Sequence, residues 1–271
     1  MDLHLKGQTA IITGAAGGFG SAIAEEYARE GVNTVIADIA FEAAAELAER
    51  VQRTYRVGSL AVRTDVTSKA SVEQMARNAI EQFGRIDILV NNAGLIRRRN
   101  VLEIDDRFWE QMLTINLRGA IYASQACIPY MADTRYGGRS YGRIIMMSSS
   151  SADHASAGMT LYSTTKVGLE MLGQAISKEH GRQNIFAVSP RFGIAPTPGW
   201  DFKSYADSLG LSYDPAVKGD DQRAVIEYYA KQLPLGKVGT PEEVARIVVL
   251  CSSPVMEPFI NQTLNAWWGR G

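Results

Sequence analysis

Thr9-Ala10-Ile11-Ile12-Thr13-Gly14-Ala15-Ala16-Gly17-Gly18-Phe19-Gly20 is the stretch that decides the fold. An apolar run, Thr9–Thr13, ends in a glycine-rich turn, and a helical pattern over 18–30 follows at once. Glycines permit the tight turn and let backbone amides approach a pyrophosphate, which then sits at a helix N-terminus. A glycine cluster alone marks only a turn. Here a strand precedes it, a helix follows and a second strand, Thr34–Ala37, comes next, which is the context of a nucleotide-binding unit.

The same rhythm continues outward. Apolar runs at Leu60–Arg63, Ile86–Val90, Ile144–Met147 and Ile185–Val188 alternate with helical patterns near 41–54, 68–83, 105–131, 160–181 and 240–251. The runs are nearly all apolar, as strands covered on both faces are. The expected fold is therefore α/β: a Rossmann-type, doubly wound parallel sheet with helices on both faces, formed by 1–271 as a single domain. Thr240-Pro241-Glu242-Glu243 reads as a helix start, with a cap, a proline at the first position and a glutamate reaching back. Pro190 to Pro234 breaks the rhythm, being rich in Pro, Gly, Asp and Tyr with a helical core near 221–232. Long irregular segments in compact domains are usually lids or binding loops, so 191–234 is expected to be a substrate-binding lid. Thr134–Tyr141 reads as an extended loop.

The chain has 271 residues and a net charge of −1, so it can bury a sizeable core and carries no global field for nucleic acid or an anionic membrane. Cys127 and Cys251 fall in separate helical patterns; they form no disulfide framework and suit a reducing compartment. The first residues are too polar for a secretory signal, and no apolar run is long enough to span a membrane. A cytoplasmic protein without a metal is expected.

Asp38 ends the second strand, 24 residues after Gly14. A carboxylate there accepts hydrogen bonds from both hydroxyls of an adenosine ribose and repels a 2′-phosphate. No Arg or Lys lies in the glycine turn or beside Asp38 in the sequence, which favours NAD over NADP. Asp38 could instead cap the helix starting near Phe41, or do both. Tyr162 and Lys166 stand four residues apart in a helical stretch, on one face and one turn apart. A fixed ammonium lowers the pKa of a nearby phenol from its ordinary value of about 10, which makes the pair a candidate base. Ser149 lies thirteen residues upstream within a run of four serines, with Ser150 the alternative.

These residues, in this order, resemble the short-chain dehydrogenase/reductase family in its compact single-domain branch. The resemblance spans nearly the whole chain: the Gly14–Gly20 turn, Asp38, Asp65-Val66, Asn91-Asn92-Ala93-Gly94, Asn116, Ser149 and the Tyr162–Lys166 pair. It implies that Tyr162 is the general base or acid, that Lys166 lowers its pKa and hydrogen-bonds the nicotinamide ribose, and that Ser149 holds the substrate oxygen. Asn116 would keep a water in a proton path from Lys166; it could also be an ordinary helix-interior asparagine bonding to backbone. Cofactor contacts are implied for Gly14, Gly18, Phe19, Gly20, Asp38, Asp65, Val66, Asn92, Ala93, Gly94, Tyr162, Lys166 and Pro190, with NAD as the cofactor.

The chain departs from the family pattern after the sixth strand. Relatives carry Pro-Gly and then a threonine that helps hold the nicotinamide carboxamide; here Arg191 replaces the glycine, Ala195 stands where the threonine is expected, and Thr197 comes two places late. Arg191 could fork onto a substrate anion or serve as a surface or lid salt bridge. His154 and Trp200 are further candidates for substrate contact, Trp200 with Tyr205 and Tyr213 forming an aromatic wall or packing the lid onto the body. Arg97-Arg98-Arg99 reads as a solvated patch. Paired tryptophans at Trp267-Trp268 are expected to be buried, in a subunit interface. The functional expectation is an NAD(H)-dependent oxidoreductase interconverting a secondary alcohol and a ketone on a small polar substrate (a sugar, polyol or hydroxy acid). The expected assembly is a homotetramer, with a homodimer as alternative. Competing readings are a redox-inactive nucleotide-binding scaffold and an epimerase or dehydratase that retains NAD.

Overall fold

The computed structural model describes residues 2–197 and 200–268. Its main sheet has seven parallel strands: β1 (Thr9–Thr13), β2 (Asn33–Asp38), β3 (Ser59–Arg63), β4 (Ile88–Asn91), β5 (Gly142–Met146), β6 (Ile185–Phe192) and β7 (Thr263–Ala266). They run in the order β7-β6-β5-β4-β1-β2-β3, and the short strand Ser148–Ser149 adds to β6. The strand order reverses between β1 and β4, and ligands of open parallel sheets bind beyond the carboxyl ends of the strands at such a switch.

The helices are α1 (Gly18–Arg29), α2 (Phe41–Tyr55), α3 (Lys69–Phe83), α4 (Asp106–Leu113), α5 (Gly119–Asp133), α6 (Thr160–His180), α7 (Phe202–Ser208), α8 (Asp220–Ala230) and α9 (Pro241–Ser252). Successive strand residues point to opposite faces, so an unbroken apolar run feeds two cores at once. Ala10 and Ile12 of β1 pack with Ile23 of α1, Leu47 of α2 and Val248 of α9, while Ile11 packs with Met75 of α3, Cys127 of α5 and Leu169 of α6. Thr240 and Glu243 close the expected capping box on α9, with Pro241 at its first turn.

Three stretches differ from the sequence expectation. The single helix expected over 105–131 is interrupted by a π-helical turn at Thr114–Arg118, and the helical axis resumes in α5. Arg135–Tyr136 and Arg139–Ser140 pair as a small antiparallel hairpin where a loop was expected. β6 runs four residues longer than its apolar core, because Ser148–Ser149 and β7 extend the pairing to Phe192. In 191–234, α7 and α8 close over a small core of Phe202, Ala206 and Val225, flanked by Trp200, Tyr205, Tyr213 and Tyr229.

Within this chain Trp267 is buried and Trp268 half-buried. Trp267 is 8% exposed and meets the His154 ring edge-to-face at 5.6 Å. The Trp268 indole N–H donates to Glu243 at 3.1 Å, and its ring lies where a side chain at Gly239 would stand. The last residues, Gly269–Gly271, lie outside the described ones. Trp268→Ala should cost about 2 kcal/mol, as a half-buried aromatic truncation does, with no change in association state. Thermal unfolding and size-exclusion chromatography check this; loss of assembly at unchanged stability would return Trp268 to an interface.

Candidate active site

The cleft is built where two turns meet. Gly14 follows β1 with φ +63°, and a Cβ there would sit 2.8 Å from the Ala93 Cα in the turn after β4. A Cβ on Gly20 would drive into the Gly14 carbonyl. Thr13 and Asn92 brace the contact. The Thr13 hydroxyl oxygen accepts from the Asn92 and Ala93 amides, both at 3.1 Å, and the Asn92 side chain donates to the Thr13 and Gly14 carbonyls at 2.9 Å each. Asn92 is therefore a cross-brace between the turns as well as part of the cleft wall.

A cavity of about 760 Å³ opens above this junction. Gly14, Phe19, Asp38, Asp65, Val66, Asn92, Ala93 and Gly94 line one arm; Tyr162, Lys166, Phe192, Trp200 and Tyr205 line the other. The Asp38 carboxylate accepts from the Ala16 amide at 2.9 Å and from the Ala40 amide at 2.9 Å, which ties the glycine turn to the entry of α2. It makes no side-chain cap on α2. Arg63 stands opposite Asp38 in the β2–β3 register, a neighbour that sequence proximity does not reveal. Its guanidinium donates to Glu42 at 2.9 Å and to the Ile39 carbonyl at 3.2 Å. Asp65 accepts from Thr67, and Val66 packs against Gly119 of α5.

Tyr162, Lys166 and Ser149 converge at the other arm. Tyr162 is buried with the Ser149 side chain near enough to pull its pKa down, whereas the Ser148 hydroxyl is spent on Glu170 at 2.6 Å. The expected lowering of the phenol by Lys166 is not what this arrangement gives. Burial pushes the Tyr162 hydroxyl up to about 12; the Ser149 hydrogen bond pulls it down in part, and nearby Tyr205 adds to the rise. The Lys166 ammonium lies 5.4 Å from the centre of the Tyr162 ring and donates to the Met147 carbonyl at 2.6 Å. It is itself buried, and desolvation brings it down to about 8.

The π-helical turn aims Asn116 back at the cleft floor. Its carbonyl oxygen accepts from the Leu95 amide at 2.7 Å, and its nitrogen donates to the Leu95 carbonyl at 2.9 Å and the Thr165 hydroxyl at 3.2 Å. Extra-residue turns of this kind often mark functional positions. Gly18, Gly20 and Pro190 do not line the cavity; Pro190 lies within β6 opposite Leu264. The late Thr197 does line it and stands 3.6 Å from where a Gly18 side chain would begin.

Of the substrate candidates, only Trp200 is on the cavity wall, stacked on Tyr205 at 4.9 Å. His154 contacts Asp153 and Trp267 instead. The Arg191 guanidinium, for which a substrate anion and a salt bridge were both open, is forked onto Glu170 and bonded to Asp153. Arg98, read as part of a solvated patch, lies 5.5 Å over the Tyr205 ring and donates to the Ala157 carbonyl at 3.1 Å. Sequence reading missed Tyr205 as a neighbour of Tyr162, and Met147, whose contribution is a backbone carbonyl with no side-chain signature.

A dinucleotide fits these residues: Gly14 and Gly20 have no room for a side chain, Gly14, Gly17 and Phe19 line the cavity where α1 begins, and an acidic residue stands at the end of β2. Among the described residues no cluster could hold a metal ion, and no helix is long and apolar enough to cross a membrane.

Comparison with known proteins agrees with the geometry. The short chain dehydrogenase family pattern matches residues 8–201. The chain is 32% identical to a sorbitol dehydrogenase of Cereibacter sphaeroides over 99% of both chains. Among solved structures it is similar to L-sorbose reductase from Gluconobacter frateurii complexed with NADPH and L-sorbose (TM-score 0.88, 27% identity, 99% of this chain and 98% of that one). It is also similar to a 7α-hydroxysteroid dehydrogenase complexed with NADH and 7-oxo glycochenodeoxycholic acid (TM-score 0.83, 27% identity, 99% and 96%). The chain belongs to the short-chain dehydrogenase/reductase family and is an oxidoreductase of that family, whose cofactor is a nicotinamide dinucleotide.

Lys166 gives a test of the cleft's electrostatics. Its folded pKa is depressed from 10.5 to about 8, so below about pH 8 the buried charge opposes folding by about 3 kcal/mol. Between about pH 8 and 10.5 the unfolded chain binds more protons, and the penalty fades as pH rises. Lys166→Met should therefore raise the unfolding temperature at pH 7 while removing turnover, with the gain shrinking toward pH 10. A melting temperature that falls at pH 7 would show that the ammonium is compensated where it lies.

Proposed function

We propose that this protein is an NAD(H)-dependent oxidoreductase that interconverts a secondary alcohol and a ketone on a small polar substrate, a sugar, polyol or hydroxy acid. The observation that carries the reading is Tyr162 and Lys166 together on the wall of the cavity that begins at the glycine turn, with Ser149 next to Tyr162. The sorbitol dehydrogenase and sorbose reductase likeness supports the sugar or polyol side of it.

In this reading a bound nicotinamide accepts or supplies the hydride. Tyr162 exchanges a proton with the substrate oxygen, and the Ser149 hydroxyl steadies charge developing there. Lys166 holds positive charge at the base of the pair, and Asn116 keeps the Leu95 turn in place beside it. The buried phenol is protonated at neutral pH, so the free site stands ready to donate to a ketone. Oxidation of an alcohol needs that proton removed and is favoured as pH rises. Segment 191–234 acts as a lid, with Trp200 and Tyr205 on its inner wall.

NAD is proposed over NADP because Asp38 borders the cavity and the nearest guanidinium, Arg63, is already paired with Glu42. A homotetramer in the cytoplasm is proposed as the working form. Val167 and Met171 stay 40% and 52% exposed on the outer face of α6, an apolar surface suited to a second subunit.

Two measurements test this. NADH absorbance is followed against a panel of sugars, sugar acids, polyols and hydroxy acids, each with NAD and NADP. Turnover should appear with NAD, rise in the oxidation direction from pH 7 to 10, and be lost in Tyr162→Phe while NADH binding survives. Binding without turnover on any substrate favours the scaffold reading, and NAD retained through purification favours the epimerase or dehydratase. Separately, Asp38→Ala should narrow the preference for NAD over NADP; an unchanged ratio takes Asp38 out of the ribose site.

A further inference from the structure

Beneath the serine run lies an ion network that the proposed chemistry does not use. Glu170 follows Tyr162 and Lys166 along one face of α6 and is buried, its side chain 4% exposed. Arg191 occupies β6 directly across from Ser148 in the strand register. Its Nε and Nη2 donate to the two Glu170 oxygens, both at 2.8 Å, and its Nη1 donates to Asp153 at 2.9 Å. Ser148 donates its hydroxyl to the same Glu170 at 2.6 Å.

One guanidinium thus fastens both ends of a six-residue segment. It holds Ser148 through Glu170 and Asp153 directly, and Ser149 lies between them. Ser149 also accepts from the Ser151 amide at 3.1 Å, so its hydroxyl direction follows the path of this segment. The planar fork matters: a lysine offers a point charge and cannot chelate one carboxylate while reaching another. A buried carboxylate deprived of its partner is strongly unfavourable, so Glu170 and Arg191 stand or fall together. With Nε, Nη1 and Nη2 all engaged, and Arg191 off the cavity wall, a substrate anion has no claim on it.

We propose that Arg191 is a positioning residue: by bridging Glu170 and Asp153 it fixes the Ser148–Asp153 segment so that the Ser149 hydroxyl stays on Tyr162. The proposal rests on the reading of Ser149 and Tyr162 given above. It explains the departure after the sixth strand, where the long side chain of Arg191 replaces the glycine of relatives.

The test is a cycle of four enzymes: wild type, Arg191→Met, Ser149→Ala and the double variant. Arg191→Met should lower kcat about tenfold or more, as misplacement of a reacting group does, and leave NADH affinity within about twofold. In the Ser149→Ala background the same change should lower kcat less than about twofold, because residues acting as one unit are non-additive. A purely structural arginine would cost the same factor in both backgrounds, which overturns the proposal. Arg191→Lys should restore little. Amide exchange is followed on Arg191→Met and on Asp153→Asn, which removes only the half-exposed arm and spares the buried pair. Exchange should quicken across Ser149–Ala157 and stay unchanged in α9; no change in that segment also overturns the proposal. An inactive wild type sinks the functional reading alone, and the exchange measurement then decides the role of Arg191 by itself.

Discussion

The structure depends on one close approach, between the turn after β1 and the turn after β4. Backbone meets backbone there, and neither Gly14 nor Gly20 has room for a side chain. Thr13 and Asn92 convert that proximity into four hydrogen bonds. Because the strand order reverses at this place, the turns diverge above it and leave a cleft rather than a packed seam. The position of Asp38, Asp65 and Gly94 around the cleft follows from where β2, β3 and β4 end. The cleft is a property of the sheet, and the residues lining it are what each strand carries to its last position.

The second arm is governed by charge. Two ionisable groups on α6, Lys166 and Glu170, are buried one turn apart, and the chain treats them differently. Glu170 receives a full complement of donors from Arg191 and Ser148. Lys166 receives a single carbonyl and keeps the strain of burial. A compensated pair is inert, whereas an undercompensated charge is available to a ligand. The asymmetry places the paired charges beneath the serine run and the unpaired one at the cavity beside Tyr162.

Much of this was legible in the sequence, and the rest was hidden for physical reasons. The glycine turn, the apolar runs and the spacing of Tyr162 from Lys166 are local patterns, and the fold and the meeting of that pair at the cavity follow from them. The π-helical turn at Thr114–Arg118 was not legible, because one extra residue per turn leaves the apolar periodicity almost intact. Arg63 beside Asp38 and Arg191 beside Ser148 are products of strand register, which single runs do not encode. The Tyr162 phenol was read from its neighbour's charge, but burial moves it the other way and only Ser149 pulls it down. The contacts of the tryptophan tail with its own body, over Gly193 and Gly239, follow from the folded path and not from composition.

The frame is indifferent to substrate. Two solved structures similar to this chain, each at 27% identity, are complexed with L-sorbose in one case and with 7-oxo glycochenodeoxycholic acid in the other. Selection must therefore lie in the walls that the sheet does not set. Here those walls come from three separated stretches: Leu95 and Ile96 after β4, Phe192 at the end of β6, and Trp200 and Tyr205 at α7. Arg98 joins them, lying over Tyr205 and reaching both Ser208 and the Ala157 carbonyl. Arg98 thus bridges α7 and the Ala157 end of the loop that follows Ser149. The outer wall at α7 therefore meets that loop through one guanidinium, on the side of the cavity away from the glycine turn.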